Sequence, residues 1–562
     1  MSSGRPSIVL IMCDDAGYSD VGCFGSEIST PHIDQLAAEG IIFSQMYNCA
    51  RCCPSRASLL TGLYPHQAGI GHMVHEHCDD KPKAYQGYLR DDCATIAEIL
   101  KEGGYRTLMT GKWHIGGEYP PDDPKHWREH AGDKHHPIPV QRGFDKHFGT
   151  LGGGGSYYDP PTLIRNDELI LDTPNDFYYT DAINDEACQM IRDAVQSGDE
   201  DGDKEEENTP FFLYVAHTAP HWPLHAPAEA VAKYRGKYKV GWDEIRKRRH
   251  TQLIEKGIIK DYWKCSPRDE NSIPWEDEQN KDWEDARMAV YAAQIDIMDQ
   301  GIGRIVQTLK DCDVYENTII IFLSDNGGCA EFLREDGGEG DSWCENYATV
   351  SSDGTLTKVG NNPKVNPGDR STFMSYDLPW ANASNTPFRL FKSWVHEGGI
   401  STPFLIHWPR HIESPGRIHH NPWIMLDIVA TIYEAAGVEY PSHYKNQKLP
   451  LLEGESFLNV LQNSDDENNM ERQRPIFWEH QGNRAVRLGR WKLVNRHGDE
   501  WELYNMDDDR TELNNLANEE KDRVKAMIKM WEEWAERCKV ESWPLNPIEE
   551  GERDWAHYPW LW

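Results

Sequence analysis

The chain has 562 residues with 38% hydrophobic content, including 21 Trp and 24 Tyr, more than one compact core usually holds and enough to fill a large one. Its 93 acidic against 58 basic side chains leave a formal net charge of −35, which repels nucleic acid and anionic membrane surfaces at long range. The same charge repels polyanions, so any anion chemistry requires a locally basic pocket; as a bulk property it is a solubility feature.

No run of 18 apolar residues occurs, so no membrane span is expected. The opening MSSGRPSIVLIMCDD lacks a cationic leader with a following apolar stretch and reads as a first strand, which makes the cytoplasm the expected compartment. The 13 cysteines are scattered and odd in number, as in a reducing environment.

In chain order, SIVLIM (7–12) is the first apolar, β-branched run. TIAEILKEGG (95–104) follows as an amphipathic helix stopped by glycine, and then YRTLMT (105–110) as a second strand. GDEDGDKEEEN (198–208) reads as a solvated acidic loop before FFLYVA (211–216), the third strand. Residues 222–285 hold charged helical segments with several Trp, expected to form an arm or lid. A long helix is predicted over 288–310, and then TIIIFLS (318–324) as the fourth strand. The Gly-, Asp- and Asn-rich stretch 333–385 reads as a long loop near a site, ahead of TPFLIHW (402–408), the fifth strand. Beyond about 440 the pattern changes to antiparallel strands at 476–480, 485–494 and 501–506, closed by a helix over 521–539. The expected fold is α/β with a large mixed, mostly parallel sheet in a domain over 1–440. A smaller α+β subdomain with an antiparallel sheet spans 441–562.

Four of the five runs end in polar residues of functional type, and in such sheets ligands bind beyond the carboxyl ends of the strands. SIVLIMC runs into Asp14 and Asp15, and TIIIFLS into Asp325 and Asn326. Three carboxylates and an amide carbonyl make an oxygen-only set suited to a hard divalent cation such as Ca2+ or Mg2+. A single Asp at a strand end is most simply a turn or helix cap; two acidic pairs after buried strands favour the metal. Arg56, Lys112, His114, His221 and Lys392 form the complementary basic set, which makes sense around a cation if a tetrahedral oxyanion is shared between them. His217 and His225 read as satisfied core groups.

CARC (49–52) raises redox or zinc chemistry, but there is no second cysteine pair and Pro54 follows the third thiol. Pro54 suits a first helical turn, and Ser55 to Gly62 reads as a short helix ended by glycine. Cys52 and Cys53 then lie at a helix N-terminus, where partial positive charge favours anions.

Cys52-Cys53-Pro54-Ser55-Arg56 resembles the C-x-P-S-R signature of the type I, formylglycine-dependent sulfatases of the alkaline phosphatase superfamily. The blocks 14–25, 29–47, 59–73, 104–116, 142–149, 219–227, 322–328 and 396–403 are similar to sulfatase blocks. APHWPLHAP (219–227) most resembles soluble bacterial arylsulfatases of the Pseudomonas type. Leu63 departs from the extended signature, which often has a basic residue there.

The resemblance implies an alkaline-phosphatase-like α/β/α sandwich. It also implies oxidation of Cys52 to Cα-formylglycine by a maturing enzyme, and one divalent cation, Ca2+ with Mg2+ or Mn2+ as alternatives. Asp14, Asp15, Asp325, Asn326 and position 52 would bind that cation. Hydrated formylglycine would attack a small sulfate monoester, aryl or alkyl, through a sulfated hemiacetal. Asp325 would take the attacking hydroxyl's proton, His221 would protonate the leaving oxygen, and His114 would deprotonate the second hydroxyl. Lys112, Lys392 and Arg56 would hold sulfate oxygens. Cys49 and Cys53 lack a proline two residues on and read as packing residues. The rivals are a phosphonate monoester or phosphodiester hydrolase of the same superfamily, and a sulfate-ester binding protein without turnover.

Overall fold

The structure is a computed structural model that describes residues 4–74, 82–117, 129–196, 209–335, 337, 354–462, 474–543 and 545. The acidic run 198–208 and part of the 333–385 stretch lie outside the described residues.

The apolar runs assemble into a ten-stranded sheet. Its centre is five parallel strands in the order Thr318–Ser324, Ser7–Cys13, Phe211–Ala216, Arg106–Gly111 and Lys146–Thr150. The first three are buried along their whole length, which is why they read as continuous apolar runs rather than alternating ones. Side chains still alternate between faces: Ile8, Leu10 and Met12 enter one apolar layer, Val9, Ile11 and Cys13 the other. Helices Cys52–Thr61, Ile96–Glu102 and Met425–Ala436 cover the first face. Pro31–Glu39, Tyr179–Gln196 and Lys281–Asp311 cover the second, completing an α/β/α sandwich.

The 402–408 run departs from a single strand. Pro403 divides it, so that Ser401–Thr402 pairs with Met46–Tyr47 in a separate small sheet while Phe404–His407 joins the large one. Phe404–His407 runs antiparallel to Thr318–Ser324. Its beginning, not its end, therefore lies at the carboxyl edge of the parallel strands, and the residues that precede it are delivered there.

Beyond the large sheet, Ile476–His480, Asn483–Leu488, Trp491–Asn495 and Glu502–Asn505 form a four-stranded antiparallel sheet. The 485–494 run is two strands of a hairpin, turned at Gly489 with φ 53°, a conformation glycine adopts freely. Helix Lys521–Cys538 packs on this sheet, Trp534 stacking on Phe477 with ring centroids 5.2 Å apart. Trp478 reaches back to donate to the carbonyl of Asn48 at 2.8 Å, four residues before the first helical cysteine of Cys52–Thr61.

Residues 222–285 pack down onto the sandwich, with Trp242 meeting Trp275 and Trp380 edge-on and those two rings tilted against each other. The 333–385 stretch contains a helix, Asp377–Ser384, that its composition hides. Among the described residues no helix is long and apolar enough to cross a membrane.

Candidate active site

Backbone hydrogen bonds stitch the strand ends together. His217 N–H donates to Met12 O (2.8 Å), Lys112 N–H to Ala216 O (2.8 Å), and Asp325 N–H to Cys13 O (3.2 Å). The residues that follow therefore converge on one edge. Asp15 and His114 hold left-handed backbone, φ 67° and 53°, a conformation costing roughly 1–3 kcal/mol outside glycine and concentrated at functional sites.

Asp14, Asp15, Asp325 and Asn326 are buried together. Asp325 Oδ1 accepts the Asp15 N–H (3.2 Å), and Asp15 Oδ1 accepts Asn326 Nδ2 (2.7 Å). Asn326 Nδ2 also donates to Gly327 O at 2.9 Å, so both amide hydrogens are used and the Oδ1 lone pairs are left without a donor. Asn326 Oδ1 and Asp14 Oδ1 are buried oxygens with no hydrogen-bond partner. Buried acceptors of this kind are costly unless something satisfies them. Two orphaned oxygens among three carboxylates fit a hard divalent cation by the chemistry of the donor set.

Lys112 Nζ bonds Asp14 Oδ2, and although burial opposes ionisation, Lys112, His221 and Arg56 hold the Asp14 carboxyl down at about 2. Burial, joined by the Asp14 charge, pushes Asp325 well above the ordinary carboxylate value. Arg56 lies behind this group rather than over it. Nε and Nη2 donate to Asp325 Oδ2 (3.1 and 2.8 Å), Nη1 to Lys112 O and Tyr214 Oη, and Nη2 is 3.4 Å from Asp14 Oδ2. Of the five guanidinium N–H groups, four donate in these hydrogen bonds, and Nη2 also stands at ion-pair distance from Asp14. The expectation that Arg56 grips a sulfate oxygen is thus corrected: its donors are spent on the carboxylates and the framework.

Helix Cys52–Thr61 begins at the predicted thiols and ends at Gly62, φ 69°, whose N–H donates to Ser58 O at 2.8 Å. Cys52 Sγ, Cys53 Sγ and an imidazole nitrogen of His114 lie within 4.8 Å of one another. A hydrogen bond from Cys53 lowers the Cys52 thiol well below its ordinary value against the effect of burial, with help from Lys112 and His114. Burial pushes Cys53 up, and its Sγ sits 3.3 Å from His114 Nε2, so Cys53 lines the pocket instead of only packing. Cys49, pushed up to about 12 by burial, bonds Ser58 Oγ and serves packing. Burial, then Lys112, brings His114 down to about 4, leaving it neutral at pH 7.

Lys392 precedes the antiparallel strand Phe404–His407 and is carried to the same edge. Its Nζ lies 3.0 Å from Asp15 Oδ1 and 3.5 Å from His221 Nε2, which is itself 3.5 Å from Asp15 Oδ2. His221 Nδ1 donates to Trp222 O, orienting the ring. His225 is the satisfied core group expected, held between Tyr157 N–H and Thr372 O, whereas His217 is buried with neither ring nitrogen partnered, which corrects that reading for His217. Three neighbours escape sequence reasoning: Arg51, Trp222 and Glu331. Arg51 sits inside CARC, where the thiols drew the attention, and Glu331 follows Asp325 by six residues without a motif.

Gly153 packs closely against His114: a Cβ there would lie 2.4 Å from His114 Nε2. Gly153→Ala is expected to displace the imidazole and lower kcat by roughly tenfold or more, since misplacing a catalytic group by about 1 Å can cost ~100-fold. An unchanged kcat in a variant with unaltered melting temperature would contradict this placement of His114.

The sulfatase family profile matches residues 6–438, and an N-sulphoglucosamine sulphohydrolase C-terminal profile matches 388–539. The chain belongs to the sulfatase family, and is a sulfuric ester hydrolase. It is 33% identical over 524 residues to an uncharacterized sulfatase of Schizosaccharomyces pombe, covering 88% of this chain and 86% of that protein. It is also 33% identical over 465 residues to an arylsulfatase of Klebsiella aerogenes, covering 80% of this chain and 90% of that one. The crystal structure of Ps i-CgsB in complex with k-i-k-neocarrahexaose superposes with a TM-score of 0.65 at 26% identity, covering 98% of this chain and 97% of that one.

Proposed function

We propose that the protein hydrolyses small sulfate monoesters to an alcohol or phenol and inorganic sulfate, using formylglycine formed from Cys52. One observation carries this reading: Cys52 opens a buried helix at a sheet edge where an all-oxygen donor set, two lysines and two histidines meet. A hydrated aldehyde at position 52 supplies one hydroxyl to attack sulfur and a second whose deprotonation releases sulfate. Asp14, Asp15, Asp325 and Asn326, with position 52, would hold a divalent cation, Ca2+ in this reading, which draws charge from oxygen and eases loss of a proton nearby.

The chain's own groups divide the rest. Asp325 accepts the proton of the attacking hydroxyl, and Arg56 is a positioning residue that fixes Asp325 through two N–H donors. Lys112 and Lys392, paired with Asp14 and Asp15, flank the position a sulfate would take and offset its charge as the ester bond breaks. His221, its Nδ1 committed to Trp222 O, turns Nε2 toward the pocket to protonate the leaving oxygen. His114, neutral at pH 7, accepts the proton of the second hydroxyl. Residues 1–440 carry this chemistry and 441–562 form a closing unit. A formylglycine-generating or equivalent enzyme matures Cys52, and the free thiols throughout the described residues suit a cytoplasmic setting. The likeness to Ps i-CgsB, solved with k-i-k-neocarrahexaose, supports testing that oligosaccharide beside aryl and alkyl sulfates.

The test compares a 4-nitrophenyl sulfate with a 4-nitrophenyl phosphonate monoester. A higher kcat/KM for the sulfate is expected; equal or reversed values would overturn the reading in favour of a phosphonate monoester hydrolase. Chelation followed by dialysis should lower turnover more than about 100-fold and lower the melting temperature, with Ca2+ restoring both. Full turnover in metal-free protein, verified by elemental analysis, would remove the cation from the account.

A further inference from the structure

Glu331 is 7% exposed and stands beside the site without a part in the chemistry above. Its Oε1 accepts Arg51 Nη2 at 2.9 Å and lies 3.6 Å from Lys392 Nζ, while Oε2 accepts Trp222 Nε1 at 2.7 Å. Burial opposes its ionisation, but Lys392, Arg51 and His221 hold it below the ordinary carboxylate value, so it carries a full negative charge at neutral pH. The cations it touches border the reacting position. Arg51 immediately precedes Cys52, and Lys392 Nζ is 3.5 Å from His221 Nε2. Ser375 Oγ donates to the Glu331 carbonyl at 2.7 Å, which fixes the backbone beneath the carboxylate.

A carboxylate in contact with both cations offsets about one unit of positive charge on the wall that meets the ester. Sulfate monoesters carry one negative charge, whereas phosphate monoesters, with a second pKa near ~6, are close to dianions above pH 7. The extra charge on a phosphate monoester is therefore what such a wall would sense. At about 6 Å, one unit charge changes affinity by on the order of 100-fold at an effective dielectric near ~20 and by about tenfold near ~40.

We propose that Glu331 sets the anion preference of the site, offsetting Arg51 and Lys392 so that the pocket suits a singly charged tetrahedral ester and disfavours a dianionic one. The inference rests on the sulfatase reading above. A purely structural role, in which Glu331 only holds Lys392 and Trp222 in place, makes a different prediction: its loss would slow all esters alike.

The experiment uses the mature, metal-loaded protein and three esters of one leaving group: 4-nitrophenyl sulfate, 4-nitrophenyl phosphate, and a singly charged methyl 4-nitrophenyl phosphate. Glu331→Gln should raise the kcat/KM ratio of the phosphate monoester to the sulfate about tenfold, while the ratio of the phosphodiester to the sulfate stays within about twofold. Where monoester turnover is below detection, its Ki as a competitor of sulfate hydrolysis gives the same ratio. Glu331→Asp, which keeps the charge, should leave both ratios near wild type even if absolute rates fall. An unchanged monoester-to-sulfate ratio in Glu331→Gln, or an equal shift in Glu331→Asp, overturns the proposal. Failure of the wild-type protein to hydrolyse the sulfate would instead overturn the sulfatase reading itself.

Discussion

Cys52→Ala is expected to abolish sulfate release, with kcat falling by roughly 10⁴- to 10⁶-fold, the range seen when a covalent nucleophile is deleted. The position opens helix Cys52–Thr61 with Lys112 and His114 beside it, so no neighbour can reproduce its geometry. Cys53→Ala is the informative control. Cys53 is also buried and also touches His114, but the chemistry assigned here gives it no bond to make. Its loss should cost about 1–2 kcal/mol of stability and less than tenfold in kcat. Cys52→Ser, with serine confirmed at that position by mass, should release at most one equivalent of phenol, because a sulfated serine has no second hydroxyl through which to expel sulfate. Steady turnover by Cys52→Ala, or equal losses in the two alanine variants, would contradict the assignment.

The largest effect on stability is expected at Glu397. This carboxylate, wholly buried, accepts Lys492 Nζ at 2.8 Å, Arg510 Nε at 2.9 Å, Tyr47 Oη at 3.0 Å and Ser401 Oγ at 2.9 Å. Lys492 lies on the four-stranded C-terminal sheet and Arg510 in the segment after it, so the cluster clasps that sheet to the residues ahead of Phe404–His407. Removing one member leaves uncompensated charge in the interior, and Glu397→Gln or Lys492→Met should each cost about 3–5 kcal/mol. The sign with pH follows from Glu397 itself. Burial opposes its ionisation, yet Lys492 and Arg510 hold its carboxyl at about 2, below the ordinary 4.5. Its contribution is therefore present above pH 4.5 and is lost as pH falls from 4.5 toward 2, up to about 3 kcal/mol. Urea midpoints measured between pH 3 and 7 should show a steeper acid limb in wild type than in Glu397→Gln. Superimposable curves would refute the clasp.

Much of the framework was legible because its signals are local. Short continuous apolar runs rich in aromatic and β-branched residues, such as FFLYVA, read as fully buried strands, and Gly62 and Gly103 stop their helices where the pattern breaks. Strand-end residues could be listed from sequence, and their convergence followed from a parallel sheet. What was hidden depends on three-dimensional relations that leave no periodic trace. The antiparallel sense of Phe404–His407, which delivers Lys392 to the site, is set by pairing with Thr318–Ser324. The placement of Arg56 behind the carboxylates depends on which of its neighbours offer acceptors, and only the folded arrangement reveals that its donors are spent. Glu331 was invisible because a lone glutamate in a loop is ordinary until Arg51, Trp222 and Lys392, from three separate segments, close around it. The hairpin at Gly489 was read as one strand because apolar residues continue on both sides of the turn.

In the proposed reaction, position 52 does the chemistry as formylglycine. The direct measurement is mass spectrometry of the tryptic peptide Cys52–Arg56 from protein that turns over a sulfate ester. The expected result is the mass of an aldehyde or its hydrate at position 52, in proportion to specific activity across preparations. An unmodified thiol at that position in protein with full sulfatase activity would contradict it.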